Sequence, residues 1–152
     1  MKIKLTENAK RLQLVHGISF LPERGTAMSA GLGLKVCLEY PVTFPPGTCM
    51  KIPTGVHVWL DTPNLAGFLL PSSSCKQFVL LNTIGVIDGD YQGEIFALLK
   101  NVSDEVLQVV PGQKLFQLVI TKVCSDSLEI VEEFREETTK GEGGYGNHGT
   151  YA

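Results

Sequence analysis

Short apolar runs alternate with turn-forming residues along most of the chain. The 16 glycines and 8 prolines recur at short intervals between these runs. The runs are VHGISFL, LKVCLEY, CMKIP, VHVWL, GFLLP, FVLLN, EIFALLKN, VLQVV and KLFQLVIT. Brief apolar runs separated by turn signals are typical of an all-β sandwich or barrel. No stretch of a dozen residues holds a clean apolar stripe of helical period, so the pattern predicts an all-β domain.

Two local signals add detail to this prediction. The segment SSSCKQ at 72–77 offers serine hydroxyls as N-caps, so we expect the one short helix there. The segment IDGDY at 87–91 contains an Asp-Gly pair, which is common in hairpin turns. We find no internal repeat and no linker, and therefore expect a single β domain over residues 1–135.

The last residues, 136–152, differ in composition from the rest. Their sequence, EETTKGEGGYGNHGTYA, is rich in glycine and has almost nothing that could build a core. A flexible tail that becomes ordered only on docking is expected. Gly141, Gly143 and Gly146 spell G-x-G-x-x-G, but a dinucleotide site needs a strand before this motif and a helix after it. Too little chain follows, so we reject that interpretation.

Composition limits the class of protein. The 152 residues are 43% apolar and 19% charged, as expected of one globular domain. No apolar run approaches the roughly 20 residues that cross a bilayer, and the first residues lack the apolar segment of a secretory signal. We expect a cytoplasmic protein that binds no membrane. The net charge of −3 argues against a nucleic-acid binder, although it leaves a phosphorylated small molecule open.

Four cysteines are scattered through the chain without a zinc-binding spacing. We expect free thiols that act as small apolar residues.

Asp88 and Asp90 flank Gly89 in an otherwise apolar neighbourhood. An aspartate beside a turn can orient and deprotonate a water molecule as a general base. A turn-forming aspartate that bonds local backbone is the alternative, and it is the more common one.

Other polar residues also have two interpretations. Gln117 interrupts an apolar row in KLFQLVIT, so its amide either pairs with backbone or points into a ligand site. Ser72, Ser73 and Ser74 could cradle a phosphate at a helix start or only cap that helix. In the tail, lysine and tyrosine side chains could wrap a phosphorylated ligand, although a disordered tail explains them equally.

Five segments, taken in order, resemble the motifs of the trimeric dUTPase family. The third segment, which contains IDGDY, closely matches the most specific motif of the family. The segments are SAGLGL at 29–34, LLPSSS at 69–74, NTIGVIDGDYQGEI at 82–95, PGQKLFQLVI at 111–120 and KGEGGYGNHG at 140–149. The likeness covers most of the chain.

The resemblance implies a fold and an activity. The family has a β-barrel or jelly-roll subunit and forms homotrimers with active sites at subunit contacts. The glycine-rich tail closes over a neighbour's site. The reaction is dUTP plus water to dUMP and pyrophosphate, and Mg²⁺ is bound through the triphosphate and waters and not by a protein metal site.

Carried onto this sequence, the resemblance assigns roles to the following residues. Asp88 should activate the attacking water, and Tyr91 should pack under the deoxyribose. The segment from Asn82 to Asp88, with Gly85 and Ile87, should read the pyrimidine edge. Phosphate contacts are implied for Ser73, Ser74, Gln117 and Lys140, and stacking on the base for Tyr145.

The sequence departs from the family pattern at the phosphate end. Gly33 stands where the family has an Asp that holds the water shell of magnesium, and Ser72 where it has an Arg that meets the phosphates. Lys140 replaces another Arg, and Asn147 with His148 replaces a small hydroxyl pair. Loss of one preorganised donor can cost on the order of 10²-fold in rate.

Three hypotheses follow. The leading one is an active dUTP diphosphatase with an unusual phosphate site. The second is the same fold acting on another pyrimidine deoxynucleotide, such as dCTP or a 5-substituted dUTP. The third is a nucleotide-sensing or partner-binding homologue with impaired catalysis.

Overall fold

The computed structural model describes residues 1–136 and 138, which contain eleven strands and one helix. The elements are β1 (Lys2–Leu5), α1 (Glu7–His16), β2 (Glu23–Arg24), β3 (Gly31–Lys35), β4 (Val42–Phe44), β5 (Cys49–Trp59), β6 (Leu65–Pro71), β7 (Phe78–Leu80), β8 (Gly85–Ile87), β9 (Glu94–Asn101), β10 (Leu107–Val109) and β11 (Lys114–Lys122). The predicted all-β class is confirmed.

The strands form three antiparallel sheets. One sheet has the order β1-β5-β9-β7, the largest has the order β2-β3-β11-β6-β8, and β10 pairs with β4 alone. Neighbours in a sheet are mostly distant in sequence, which is the arrangement of a jelly roll and not of a simple meander. This topology places β3 and β8 on opposite sides of the β11–β6 pair.

The core lies between the sheets, and strand alternation fills it. In β9 the side chains of Ile95, Ala97 and Leu99 are buried, while Leu98 between them is exposed. From β11, Phe116 and Leu118 enter the same core. The register of β11 against β3 shifts between Lys114 and Phe116, which is a β-bulge.

The helix is not where the sequence pattern placed it. Thr6 caps α1, since its hydroxyl accepts a hydrogen bond from the Ala9 N–H at 3.0 Å. Gly17 ends α1 in the left-handed conformation at φ 66°. The helix buries only Ala9 and Leu12, because it packs on the barrel by one narrow face. That face is too narrow to stand out as an apolar stripe, so the helix was missed.

The prediction of a helix at 72–77 was wrong. This segment forms two successive turns between β6 and β7. Ser72 starts the first turn, because its carbonyl accepts from the Cys75 N–H at 3.0 Å and its hydroxyl accepts from the Ser74 N–H at 3.2 Å. A segment of six residues held between two strands is too short for helix propagation to offset the free-energy cost of nucleating the first turn. The serines therefore cap a turn.

The Asp-Gly turn differs from the expected hairpin. β8 pairs with β6 in the five-stranded sheet, whereas β9 pairs with β5 and β7 in the four-stranded sheet. The turn at Asp88–Tyr91, closed by the Tyr91 N–H on the Asp88 carbonyl at 3.2 Å, therefore carries the chain from one sheet to the other. A local turn signal gives no information about which strands pair.

The four cysteines differ in burial, and all of them are free thiols. Cys37 and Cys75 are buried, and Cys49 and Cys124 are exposed. Burial, with a smaller contribution from the charge of Glu94, raises the pKa of Cys37 to about 11. Burial also raises the pKa of Cys75. These two thiols stay protonated and pack as small apolar groups.

Within the described part of the chain, the last strand ends at Lys122. The segment that follows, up to residue 136, exposes Leu128, Ile130 and Phe134 almost fully. Glu137 and residues 139–152 lie outside the described residues, so the division into a domain and a tail stays a prediction. No described helix has the length and apolar character that crossing a membrane requires.

Candidate active site

A cleft of about 260 Å³ lies beside the turn between β8 and β9, and we call it the turn cleft. It is lined by Leu69, Asn82, Gly85, Val86, Ile87, Asp88, Tyr91, Glu94, Ile95 and Phe96. The structure therefore brings together Asn82, Gly85, Ile87, Asp88 and Tyr91, which the sequence singled out from a single segment.

The position of Asp88 depends on the glycine that follows it. Gly89 lies so close to the loop before β6 that an added Cβ would overlap the carbonyl oxygen of Thr62. The Gly89 carbonyl also accepts a hydrogen bond from the Asp61 N–H at 2.9 Å. Because both contacts are made by backbone, the turn is fixed against the barrel. Asp88 therefore presents an exposed carboxylate on a rigid support.

Tyr91 forms a fixed wall of the turn cleft. Its hydroxyl donates to the Glu94 carbonyl at 2.9 Å. The ring lies over Gly93, where an added Cβ would be 2.5 Å from the ring carbon Cζ. Both contacts lie at the hydroxyl end of the side chain and hold the aromatic face in one orientation, while 40% of the residue remains exposed.

Asn82 uses its side chain to hold the loop between β7 and β8. Its amide nitrogen donates to the Phe96 carbonyl at 3.0 Å, and its amide oxygen accepts from the Leu98 N–H at 2.9 Å. Both bonds go to β9, so the amide is occupied. The backbone of this loop is therefore the part left to contact a ligand.

A second cleft, of about 370 Å³, follows β3 and the start of β11, and we call it the strand cleft. It is lined by Glu23, Gly25, Ser29, Ala30, Gly31, Gly33, Ser72, Lys114, Phe116 and Gln117. The lining is mostly neutral, with one carboxylate and one ammonium group.

Gln117 pairs with backbone, as the first interpretation predicted, and it also lines a cleft, so its contact with a ligand stays a prediction. Its amide nitrogen donates to the Pro71 carbonyl at 3.0 Å, so it is paired with backbone. The side chain also lines the strand cleft and lies over Gly31, where an added Cβ would be 2.5 Å from Oε1. The amide oxygen therefore remains available at the cleft.

Of the three consecutive serines, Ser72 reaches the strand cleft, and neither Ser73 nor Ser74 is among the residues that line it. The Ser72 hydroxyl donates to the Lys114 carbonyl at 3.1 Å, and its N–H donates to the Leu115 carbonyl at 2.9 Å. These bonds fix the start of β11 beside the end of β6. The phosphate contacts predicted for Ser73 and Ser74 stay predictions.

Sequence reasoning did not single out Lys114. Its side chain extends over Gly33, where an added Cβ would lie 2.9 Å from Cδ and Cε and 3.3 Å from Nζ. The sequence contains only a partial signal of this contact: a lysine at the start of one strand and two glycines in another. Which residues would face each other depends on the register and the bulge of β11, and neither can be derived from one sequence.

The two clefts lie at different places on the five-stranded sheet. The strand cleft follows β2, β3 and β11, whereas the turn cleft lies at the β8 edge. Adjacent strands are about 4.8 Å apart, so the three steps from β3 to β8 span about 14 Å. The described linings share no residue.

Four residues from the sequence prediction, Lys140, Tyr145, Asn147 and His148, lie outside the described residues. Among residues 1–136 and 138, no group of three or more His, Cys, Asp or Glu side chains could hold a metal ion.

Comparison with protein families gives a match over most of the chain. A family model described as dUTPase matches residues 19–149. The deoxyuridine 5'-triphosphate nucleotidohydrolase of Idiomarina loihiensis is 42% identical over 132 residues, covering 85% of this chain and 87% of that protein. The protein of the same name from Hydrogenovibrio crunogenus is 41% identical over 134 residues, covering 86% and 88%. α1 precedes the residues that the family model matches.

Solved structures with the same fold include a phage enzyme. The dUTPase of Staphylococcus bacteriophage 80alpha, solved with dUpNHpp, superposes with a TM-score of 0.77 at 23% identity and covers 98% of both chains. At this identity the likeness establishes the fold, and the jelly-roll prediction is confirmed.

Proposed function

The chain belongs to the dUTPase family, and on that premise we propose that it hydrolyses dUTP to dUMP and pyrophosphate. The observation that carries the proposal is the turn cleft, where the Asp88 carboxylate and the Tyr91 ring share one small cavity with the loop that begins at Asn82. The names of the curated relatives support dUTP as the nucleotide over other pyrimidine triphosphates.

Asp88 is proposed as the general base. Cleavage of the bond between the α- and β-phosphoryl groups needs a water oxygen as nucleophile, and a positioned carboxylate can accept its proton. The exposed carboxylate can reach such a water, and the backbone contacts of Gly89 keep it from moving during the reaction. Pyrophosphate leaves with the electrons of the broken P–O bond.

Tyr91 is proposed to exclude ribonucleotides. Its ring is anchored by the hydroxyl bond to Glu94 and by contact with Gly93, so it cannot turn aside for a larger sugar. A deoxyribose that packs on this face leaves no space for a 2′-hydroxyl. A group that is held rigidly discriminates better than one that can adapt.

The proposed assembly is a homotrimer with sites at subunit contacts. The separation of the strand cleft from the turn cleft supports it, because one copy would supply Asp88 and a second copy the phosphate end. The outer face of the four-stranded sheet also exposes Val79, Leu81 and Leu98. An apolar patch of this kind is typical of a subunit contact.

Magnesium is proposed to arrive with the triphosphate. Mg²⁺ keeps several waters and is usually bound by substrate phosphates together with one or two carboxylates. At the strand cleft, Glu23 is the carboxylate that could hold such a water, because it pairs with Gly33 across β2 and β3. A solved structure with the same fold, a mutant dUTPase of Staphylococcus aureus phage phi11, is described as coordinating a structural Mg(II) ion. It superposes with a TM-score of 0.71 at 24% identity, and the match covers 89% of this chain and 98% of that one. The metal would offset phosphate charge during the reaction.

A nucleotide panel tests the proposed function. Pyrophosphate release is measured with dUTP, dCTP, dTTP and UTP in the presence of Mg²⁺, beside a working dUTPase. We expect turnover of dUTP in clear preference to the other three. Absence of turnover, or equal turnover of dCTP, would overturn the proposal in favour of a non-catalytic homologue or a different pyrimidine specificity.

The role of Asp88 has a matched control in the same turn. Asp88→Asn should lower kcat by roughly 10²- to 10⁴-fold, the usual contribution of a positioned base. Asp90→Asn removes the same charge two residues away, where the side chain does not line the turn cleft, and should stay close to wild type. Equal losses in the two variants would contradict the assignment.

A further inference from the structure

Lys114 lies along a trough that two glycines leave in β3. Gly31 and Gly33 are two residues apart and therefore on the same face of the strand. The side chain of Gln117 covers the first glycine and that of Lys114 covers the second, each closer than a Cβ would allow. Two long polar side chains from β11 are thus laid side by side in the strand cleft.

The ammonium group of Lys114 is uncommitted. Within the described part of the chain it has neither a hydrogen bond nor an ion pair, whereas other lysines do. Lys35, its partner in the β3–β11 register, donates to the Ser19 carbonyl at 2.7 Å. Lys2 pairs with Asp61 at 3.2 Å. Among the described residues that line the two clefts, Lys114 is the one basic side chain.

We infer that Lys114 binds the β- and γ-phosphates of the nucleotide, with Gly33 as the residue that makes room for it. The inference rests on the proposed function, since a triphosphate needs a cation and the described linings offer this one. Gln117 and Ser72 surround the same cavity with neutral polar groups. An ammonium can contact phosphate oxygens of varied geometry, as a point charge.

Binding measurements separate this inference from the proposed function. Dissociation constants are measured by calorimetry for dUMP and for the non-hydrolysable dUpNHpp. Lys114→Met should weaken dUpNHpp by roughly 10- to 100-fold, the range for a hydrogen bond to a charged group, and leave dUMP within about 3-fold. Lys114→Arg should recover part of the loss. Lys122→Met, at the exposed end of the same strand, controls for net charge.

Gly33→Ala gives a second and independent test. The new Cβ would push the Cδ and Cε of Lys114 aside without removing any polar group of the strand cleft. We expect weaker dUpNHpp binding, by about 3- to 10-fold, and no added loss when Gly33→Ala is combined with Lys114→Met, because contacting residues are not additive. Additive losses would overturn the role of Gly33.

The other outcomes each decide a point. Equal weakening of dUMP and dUpNHpp by Lys114→Met, or no weakening, would overturn the inference. Equal dissociation constants of the wild-type protein for dUMP and dUpNHpp would also overturn the inference. A wild-type protein that prefers dUpNHpp but releases no pyrophosphate from dUTP would refute the proposed function and leave the inference standing.

Discussion

The turn cleft and the strand cleft are built by different means. In the turn cleft, backbone atoms and the anchored ring of Tyr91 set the geometry, and Gly89 permits a contact that any other residue would block. In the strand cleft, the polar groups belong to long side chains, Lys114 and Gln117, that lie over glycines. One cleft is fixed by the fold, whereas the other can be adjusted by substitution.

This difference gives a physical reason for the positions at which the sequence departs from the motifs that it resembles. A substitution at Gly89 disturbs the backbone contact that fixes the turn between the two sheets, so its effect extends beyond the site. Replacement of one side chain in the strand cleft changes charge but leaves the β3–β11 ladder intact. Gly33 and Ser72 both lie in the strand cleft. The departures that the resemblance implies therefore lie at the adjustable end of the site, where Lys114 is proposed to supply positive charge.

Among the substitutions that test this contrast between the clefts, Gly89→Ala should have the largest effect. The new Cβ would overlap the Thr62 carbonyl oxygen, so the turn must move and take Asp88 with it. A displacement of about 1 Å at a catalytic group can lower the rate on the order of 10²-fold. We expect kcat to fall by at least that factor, together with a lower Tm. Steady-state kinetics and thermal unfolding measure the two effects.

Asp90→Ala is the control for this experiment, since it changes the same turn without a new backbone contact. Its kcat should stay within about 3-fold of wild type, as is usual for a surface substitution. If Gly89→Ala keeps the wild-type kcat, the turn is not held by its backbone contacts and the contrast between the two clefts fails.

The fold class could be predicted from the sequence because strand alternation and turn residues are local signals. The helix was misplaced for the same reason: the serines of 72–77 give a strong capping signal and α1 gives a weak periodic one. Whether a capped turn grows into a helix depends on the strands at either side, which is tertiary information. The pairing of β8 and β9 with strands of different sheets could not be predicted either, because it also depends on tertiary contacts.

Within the candidate site, the turn cleft was easier to predict than the strand cleft. Its residues are contiguous in sequence, from Asn82 to Tyr91, so one motif named them together. The strand cleft combines β3, the end of β6 and β11, and its geometry depends on the bulge between Lys114 and Phe116. The resemblance to the family named Gln117, but the position of Lys114 over Gly33 needed coordinates.

A moderate gain is expected from Ser72→Arg. If the single ammonium group of Lys114 leaves the strand cleft short of positive charge, a guanidinium placed there should raise kcat/KM for dUTP by roughly 10-fold. This is less than the full value of a preorganised donor, because the site was not built around it. Ser72→Gln supplies length and polarity without charge, and should not improve the enzyme. Equal kcat/KM in the two variants would show that charge is not limiting.

The smallest effect is expected from Tyr91→Phe, which keeps the wall of the turn cleft and removes one of its anchors. The hydroxyl bond to the Glu94 carbonyl is partly exposed, so its loss should cost about 1 kcal/mol of stability. The ring still lies over Gly93, and kcat/KM for dUTP should change by no more than about 3-fold, while UTP stays excluded. Tyr91→Ala removes the wall itself and should raise the relative rate with UTP. If Tyr91→Phe admits UTP as readily as Tyr91→Ala does, the hydroxyl bond and not the ring face defines the sugar pocket, and the rigidity that we assign to this cleft depends on a single hydrogen bond.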